Sequence, residues 1–162
     1  MADCLFKVGV LGATGFIGSP YRAEVRECEE AEIVAVCARR QDLLDEAARE
    51  DQARFATQDW REVVGHPDVN FIIVGTPDAL HHEAVVACAR HGKHLLCEKP
   101  VGMNKTEAEE MWGLYRDAEP ALAHFVPFWT RMVSVFETAR EIVASGCLLY
   151  TSDAADERSS VD

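Results

Sequence analysis

Four things are scarce in this sequence. Positive charge is the first: 16 lysines and arginines stand against 28 aspartates and glutamates, a formal net charge of -12. A face basic enough to hold nucleic acid or an anionic bilayer is therefore not expected, so no nucleic-acid and no membrane partner is read, while a local basic site for a phosphate stays open. Long apolar runs are the second. None approaches the roughly 20 residues that span a bilayer, and Met1-Ala2-Asp3-Cys4-Leu5 lacks the cationic start and apolar stretch of a secretory signal. Pairing signals among cysteines are the third. The six cysteines, at 4, 28, 37, 88, 97 and 147, include no C-x-x-C pair, and they read as reduced thiols of a cytoplasmic protein, several of them small buried hydrophobes. Metal-ligand clusters are the fourth. His81 and His82 are adjacent and so point apart on a helix, and no second cluster accompanies them; no metal is expected, and the pair reads as one structural or site-edge histidine and one exposed one.

What is present is an alternation of strand and helix patterns. With 162 residues the chain can form one domain with a sizeable core and is too short for two full ones. Apolar runs at Phe6 to Leu11, Glu32 to Cys37, Arg54 to Ala56, Val69 to Val74, the stretch from His94 and Ala121 to Val126 read as strands. Helices are read at about Tyr21 to Glu29, Asp42 to Asp51, after Asp59, Leu80 to Arg90, Asn104 to Arg116 and Met132 to Ala144, where Val135, Ala139, Ile142 and Val143 share a face. Asp59-x-x-Glu62 and Asn104-x-x-Glu107 are helix-start signatures, and Gly65, Gly92 and Gly146 are stops. The fold class is α/β, a Rossmann-type doubly wound parallel sheet. Trp60, Trp112 and Trp129 read as core or interface residues.

The first strand runs into Gly12-Ala13-Thr14-Gly15-Phe16-Ile17-Gly18. Glycines here permit a tight turn, a close backbone approach to a pyrophosphate and close helix packing, and the following helix offers free N–H groups to an anion. The alternative is a plain strand-to-helix turn. The second strand ends in Ala38-Arg39-Arg40, where a dinucleotide fold commonly has an acid for the ribose hydroxyls. Two guanidiniums suit a ribose 2′-phosphate instead, which favours NADP over NAD. The alternative is two solvated arginines ahead of a helix carrying Asp42 and Asp45.

The fourth strand stops at Gly75-Thr76-Pro77-Asp78 and the fifth at Glu98-Lys99-Pro100. If the strands are parallel, both turns share a sheet edge with the glycine loop, and Lys99 stands where open α/β sheets do their chemistry. Lys99 taken alone could equally cap a solvated turn.

With these residues in view the chain resembles the amino-terminal domain of the Gfo/Idh/MocA oxidoreductases, over about residues 6 to 146. The glycine loop, Thr76-Pro77-Asp78-Ala79-Leu80-His81, and Gly92-Lys93-His94-Leu95-Leu96-Cys97-Glu98-Lys99-Pro100 carry the likeness. The resemblance implies an NAD(P)-dependent dehydrogenase acting on a sugar, cyclitol or related polyol. It implies Lys99 as the catalytic residue and cofactor contacts from Gly12, Thr14, Gly15, Phe16, Ile17, Gly18, Ala38, Arg39, Arg40, Thr76, Pro77, His81, Glu98 and Pro100. The loop is spaced G-x-x-G-x-x-G where the family commonly has G-x-G-x-x-G. That string is also similar to short-chain dehydrogenases, but Tyr21, Tyr115 and Tyr150 are followed four residues on by Val25, Glu119 and Ala154, so the Tyr-x-x-x-Lys pair those enzymes need is absent. A non-catalytic dinucleotide-binding regulatory or assembly module is the alternative function.

The expected organisation is a dinucleotide-binding domain over 1–127, the start of a connection over 128–146, and a tail over 147–162. The resemblance implies a second, substrate domain that is missing here, a homo-oligomeric full-length protein, and a fragment that binds cofactor without turnover. Cys147-Leu148-Leu149-Tyr150-Thr151-Ser152-Asp153-Ala154-Ala155-Asp156 is similar to a translated transposon-type library adapter, and 147–162 is expected to be an artefact of cloning or assembly.

Overall fold

The computed structural model describes residues 5–146, and the thiols of Cys4 and Cys147 and the expectation for 147–162 lie outside them. By contact the chain divides into two compact units, Met1–Pro127 and Phe128–Asp162.

In the first unit, β-branched and apolar runs form six strands: β1 (Phe6–Leu11), β2 (Ala31–Cys37), β3 (Phe55–Thr57), β4 (Phe71–Val74), β5 (His94–Cys97) and β6 (His124–Phe125). Their order in the sheet is β3-β2-β1-β4-β5-β6, and every pairing is parallel. The doubly wound sheet expected from the sequence is therefore the observed one. Helices follow the strands: α1 (Gly18–Glu27), α2 (Gln41–Asp51), α3 (Trp60–Gly65), α4 (His81–Arg90) and α5 (Lys105–Arg116). Asp59 caps α3 by accepting from Arg61 N, and Asn104 caps α5 by accepting from Glu107 N.

β4 is apolar throughout, and β1 and β2 are apolar beyond their second residues, Lys7 and Glu32, because both faces of the sheet are covered. On one face Val8, Val10, Val36 and Ile73 pack with Leu44 of α2 and with Tyr21 and Val25 of α1. On the other, Leu11, Val34, Ile72 and Val74 pack with Val63 and Val64 of α3, Ala84 and Val85 of α4, and Met111 and Tyr115 of α5. Each fully buried Leu or Ile contributes roughly 1.5–3 kcal/mol relative to exposure. Cys37, Cys88 and Cys97 are buried and Cys28 is exposed, all four as free thiols.

Several boundaries differ from the sequence reading: β4 begins at Phe71 rather than Val69, β3 is shifted one residue on to Phe55–Thr57, and three others change more. α1 begins three residues before Tyr21, because Ser19 N can donate to Gly15 O across the glycine loop, and it closes at Glu27. β6 is two residues rather than six: it pairs only with Leu95 and Leu96 of β5 among the described residues, and Pro120 and Pro127 flank the segment. In the second unit a 3₁₀ turn, Trp129–Met132, precedes α6 (Ser134–Ala144), so the helix starts at Ser134 instead of Met132. There the rings of Trp129 and Phe136 meet edge to face, 6.5 Å between centroids. Gly146, at φ 77°, ends the helix in the left-handed region. Among the described residues no helix is long and apolar enough to cross a membrane.

Candidate active site

Because β1 has β2 on one side and β4 on the other, the chain winds away from it in both directions, and the crevice at its carboxyl end is the topological switch point of the sheet. The strand ends there are tied together by backbone bonds. Gly12 N and Ala13 N donate to Cys37 O, Gly75 N donates to Leu11 O, and Glu98 N donates to Val74 O, at 2.9 to 3.1 Å. The glycine loop can lie this close only without side chains. Gly12 has φ 79°, and a Cβ on it would stand 2.6 Å from Gly75 O; a Cβ on Gly18 would stand 2.2 Å from Gly12 O. α1 then opens with no acidic residue in its first turn and no side-chain cap, leaving its positive end to an outside anion.

A groove of about 530 Å³ lies over this edge. Of the residues expected from the sequence, Gly12, Thr14, Gly15, Phe16, Ile17, Ala38, Arg39, Arg40, Thr76 and Pro77 line it together. Phe16 forms the rim, 93% exposed. Gly18 lies behind the loop, buried. Cys37, Leu43, Gln58, Trp60, Gly75 and Leu80 also line the groove and were not anticipated. Gln58 directly follows β3, so the strand-end rule would have found it; its Nε2 donates to Arg39 O at 3.0 Å. Trp60 is half-buried, with the Arg61 guanidinium 4.4 Å from its ring centre. Burial pushes the Cys37 thiol up to about 11, aided by Asp59 and Glu62.

The two arginines after β2 differ. Arg40 forms an exposed two-bond pair with Asp42, which its guanidinium holds below the ordinary carboxylate range. Arg39 takes part in none of the ion pairs among the described residues. Lys99 is likewise exposed and unpaired among them. The oxygens of Glu98 accept elsewhere, from the Tyr21 phenol at 2.7 Å and from Lys99 N at 3.0 Å. Burial, and then the Glu98 carboxylate, hold the Tyr21 phenol above its ordinary range.

His81 is fully buried, with Nδ1 2.9 Å from Pro100 O and Nε2 2.9 Å from Thr76 O, so one ring links the turns after β4 and β5. His81 is thus a structural tie outside the groove lining. Its neighbour His82 is only partly exposed, because it meets Glu110 of α5 at 2.9 Å. Beneath the glycine loop, Arg22 is 4% exposed and donates to Ala13 O, Ala47 O and Glu50, and pairs with Asp51. Neither Arg22 nor Tyr21 carried a sequence signal, since both act on partners in other elements. The buried hydroxyl of Thr76 has no hydrogen-bond partner among the described residues. An orphaned donor in the groove, an open helix end and a glycine cradle that a Cβ would fill fit an elongated ligand with an anionic middle and a polar end. Among the described residues no three His, Cys, Asp or Glu side chains gather as a metal site.

Comparison with known proteins agrees with this geometry. The family model GFO_IDH_MocA, described as "Oxidoreductase family, NAD-binding Rossmann fold", matches residues 6–124. The chain is 32% identical over 107 residues to a levoglucosan dehydrogenase of Pseudarthrobacter phenanthrenivorans, covering 66% of this chain and 27% of that protein. It is 33% identical over 142 residues to the trans-1,2-dihydrobenzene-1,2-diol dehydrogenase of Bos taurus, covering 86% and 42%. A solved NAD binding oxidoreductase from Klebsiella pneumoniae superposes with TM-score 0.75 at 27% identity, covering 89% of this chain and 40% of that one. The chain thus spans 27% to 42% of the length of these curated relatives.

Proposed function

The chain belongs to the Gfo/Idh/MocA oxidoreductase family, and from that premise we propose that it is the dinucleotide-binding part of an NAD(P)-dependent dehydrogenase acting on a sugar, cyclitol or related polyol. The observation that carries the reading is the convergence on one sheet edge of the glycine loop, Arg39, the Thr76 hydroxyl and Lys99, the last three without a side-chain partner among the described residues. The names of the relatives, a levoglucosan and a dihydrodiol dehydrogenase, support secondary alcohols as the substrate class. More than half of each of those relatives lies outside the matched part; the groups that select substrate are assigned to that part, and the present chain is expected to bind cofactor without turnover.

The bound nicotinamide supplies the acceptor or donor of hydride. The chain's own residues do the rest. The amino end of α1 and the amides of the glycine loop hold the pyrophosphate. Thr76 Oγ gains the partner it lacks. Lys99 holds a proton beside the substrate oxygen and stabilises the alkoxide that develops there. Arg39 receives the ribose 2′-phosphate, joined by Arg40, whose exposed pair with Asp42 is weak enough to yield. NADP is therefore favoured over NAD.

Fluorescence titration of the chain with NADPH and NADH tests this. NADPH is expected to bind more tightly, and Arg39→Ala to cost NADPH about tenfold, the value of a charge-assisted bond, while sparing NADH. Equal affinities defeat the NADP preference, and binding of neither defeats the function.

A further inference from the structure

Tyr21 has no part in the reading above, although its phenol touches the carboxylate at the end of β5. It is the fourth residue of α1, half-buried against the sheet face that holds Ile73 and Leu96. Its O–H donates to Glu98 Oε1 at 2.7 Å across 77 residues of sequence. The other carboxylate oxygen accepts from Lys99 N at 3.0 Å. With a donor on each oxygen the carboxylate has one orientation. The Lys99 ammonium is in none of the ion pairs among the described residues. The phenol is held above its ordinary range by burial and by Glu98, so it stays a donor across neutral and mildly alkaline pH.

The groove has two distinguishable ends. Arg39 marks one, beyond β2, and Gly75, Thr76 and Pro77 after β4 mark the other; Glu98 does not line the groove, but its N donates to Val74 O, which places it beside that second end. A dinucleotide with its adenosine at Arg39 and its pyrophosphate on α1 brings its nicotinamide to the β4–β5 end. The oxidised ring is positively charged and the reduced ring is neutral, so an anion fixed at that end distinguishes them.

We infer that Tyr21 is a positioning residue that fixes the Glu98 carboxylate at the nicotinamide end of the groove and thereby favours the oxidised over the reduced dinucleotide. The inference rests on the proposed function. A purely structural role for Tyr21 would weaken both forms alike; a positioning role changes their ratio.

The test is the ratio of dissociation constants for NADPH, by its own fluorescence, and NADP⁺, by displacement of NADPH, on the full chain. Tyr21→Phe keeps the packed ring and removes the donor. It is expected to lower the preference for NADP⁺ about fivefold, the value of one hydrogen bond, with the circular dichroism spectrum unchanged. Glu98→Gln is expected to lower the preference at least as much, and Tyr21→Phe to be silent in the Glu98→Gln background, since it acts through that carboxylate. An unchanged ratio in Tyr21→Phe, equal losses of both forms, or an undiminished effect in the double variant overturns the inference and leaves the proposed function standing. A wild-type chain that binds neither NADPH nor NADH overturns both.

Discussion

The two edges of the sheet treat polar groups in opposite ways. At the amino ends of the strands they close on one another. Asn70 accepts from Lys7 N at 2.8 Å and donates to Leu5 O at 2.9 Å. Lys93, 8% exposed, donates from Nζ to His66 O at 2.9 Å and Val69 O at 2.5 Å. The Tyr115 hydroxyl donates to Lys93 O, and Ala123 N donates to His94 Nδ1. At the carboxyl ends the same kinds of group are left open: the Thr76 hydroxyl is orphaned, Arg39 and Lys99 are unpaired among the described residues, and α1 is uncapped. Lys93 and Lys99, six residues apart on either side of β5, show the difference most directly. Burial pulls the Lys93 ammonium below its ordinary range, and two carbonyls compensate it; Lys99 is exposed, its ammonium unpaired among the described residues. A buried polar group must be satisfied within the fold, whereas a ligand-binding edge must keep partners in reserve.

Substitutions at the two edges should therefore separate stability from binding. The largest effect is expected from Gly18→Ala, whose methyl would lie 2.2 Å from Gly12 O. The backbone must move, at a cost of about 2–3 kcal/mol in urea denaturation, and NADPH affinity should fall by more than about tenfold because the loop is itself the site. An alanine variant with wild-type stability and affinity would show that the loop is not held as described. Next comes Lys93→Met, which keeps the side chain's length and strands two carbonyls. It should cost about 2 kcal/mol of stability, while the folded chain binds NADPH as before. A matching loss of affinity would erase the distinction between the edges. The smallest change is Thr76→Val, which removes the orphaned hydroxyl at constant shape. Stability should stay within about 0.5 kcal/mol or rise, and calorimetric titration with NADPH should show an affinity about fivefold lower. A stability loss without an affinity loss would place Thr76 with the closed edge.

Much of this was legible in the linear chain. The six strands, their parallel order and the edge on which the glycine loop, Thr76-Pro77 and Glu98-Lys99-Pro100 meet all follow from apolar runs bounded by turn residues, because strand ends inherit their place from a regular topology. The groove residues Leu43 and Leu80 were not legible, since nothing in an isolated leucine separates a groove wall from a core contact. Nor were the shortened β6, two residues paired with part of β5, and the partial covering of His82 by Glu110 of α5. Arg22 would read as a solvated helix residue; it is buried because Asp51, 29 residues on, lies opposite it.

The sequence by itself determined the α/β alternation, the loop that only glycine can form and the chemical types of the groups at the strand ends. These depend on local backbone preference and on periodicity, which act over a few residues. Tertiary structure alone decided which groups are paired: that Arg40 is tied to Asp42 while Arg39 is in none of the ion pairs among the described residues, that His81 links the carbonyls of Thr76 and Pro100, and that the Tyr21 phenol reaches Glu98. Those outcomes depend on distances of about 3 Å between atoms far apart in sequence, and packing the helices on the sheet is what sets such distances.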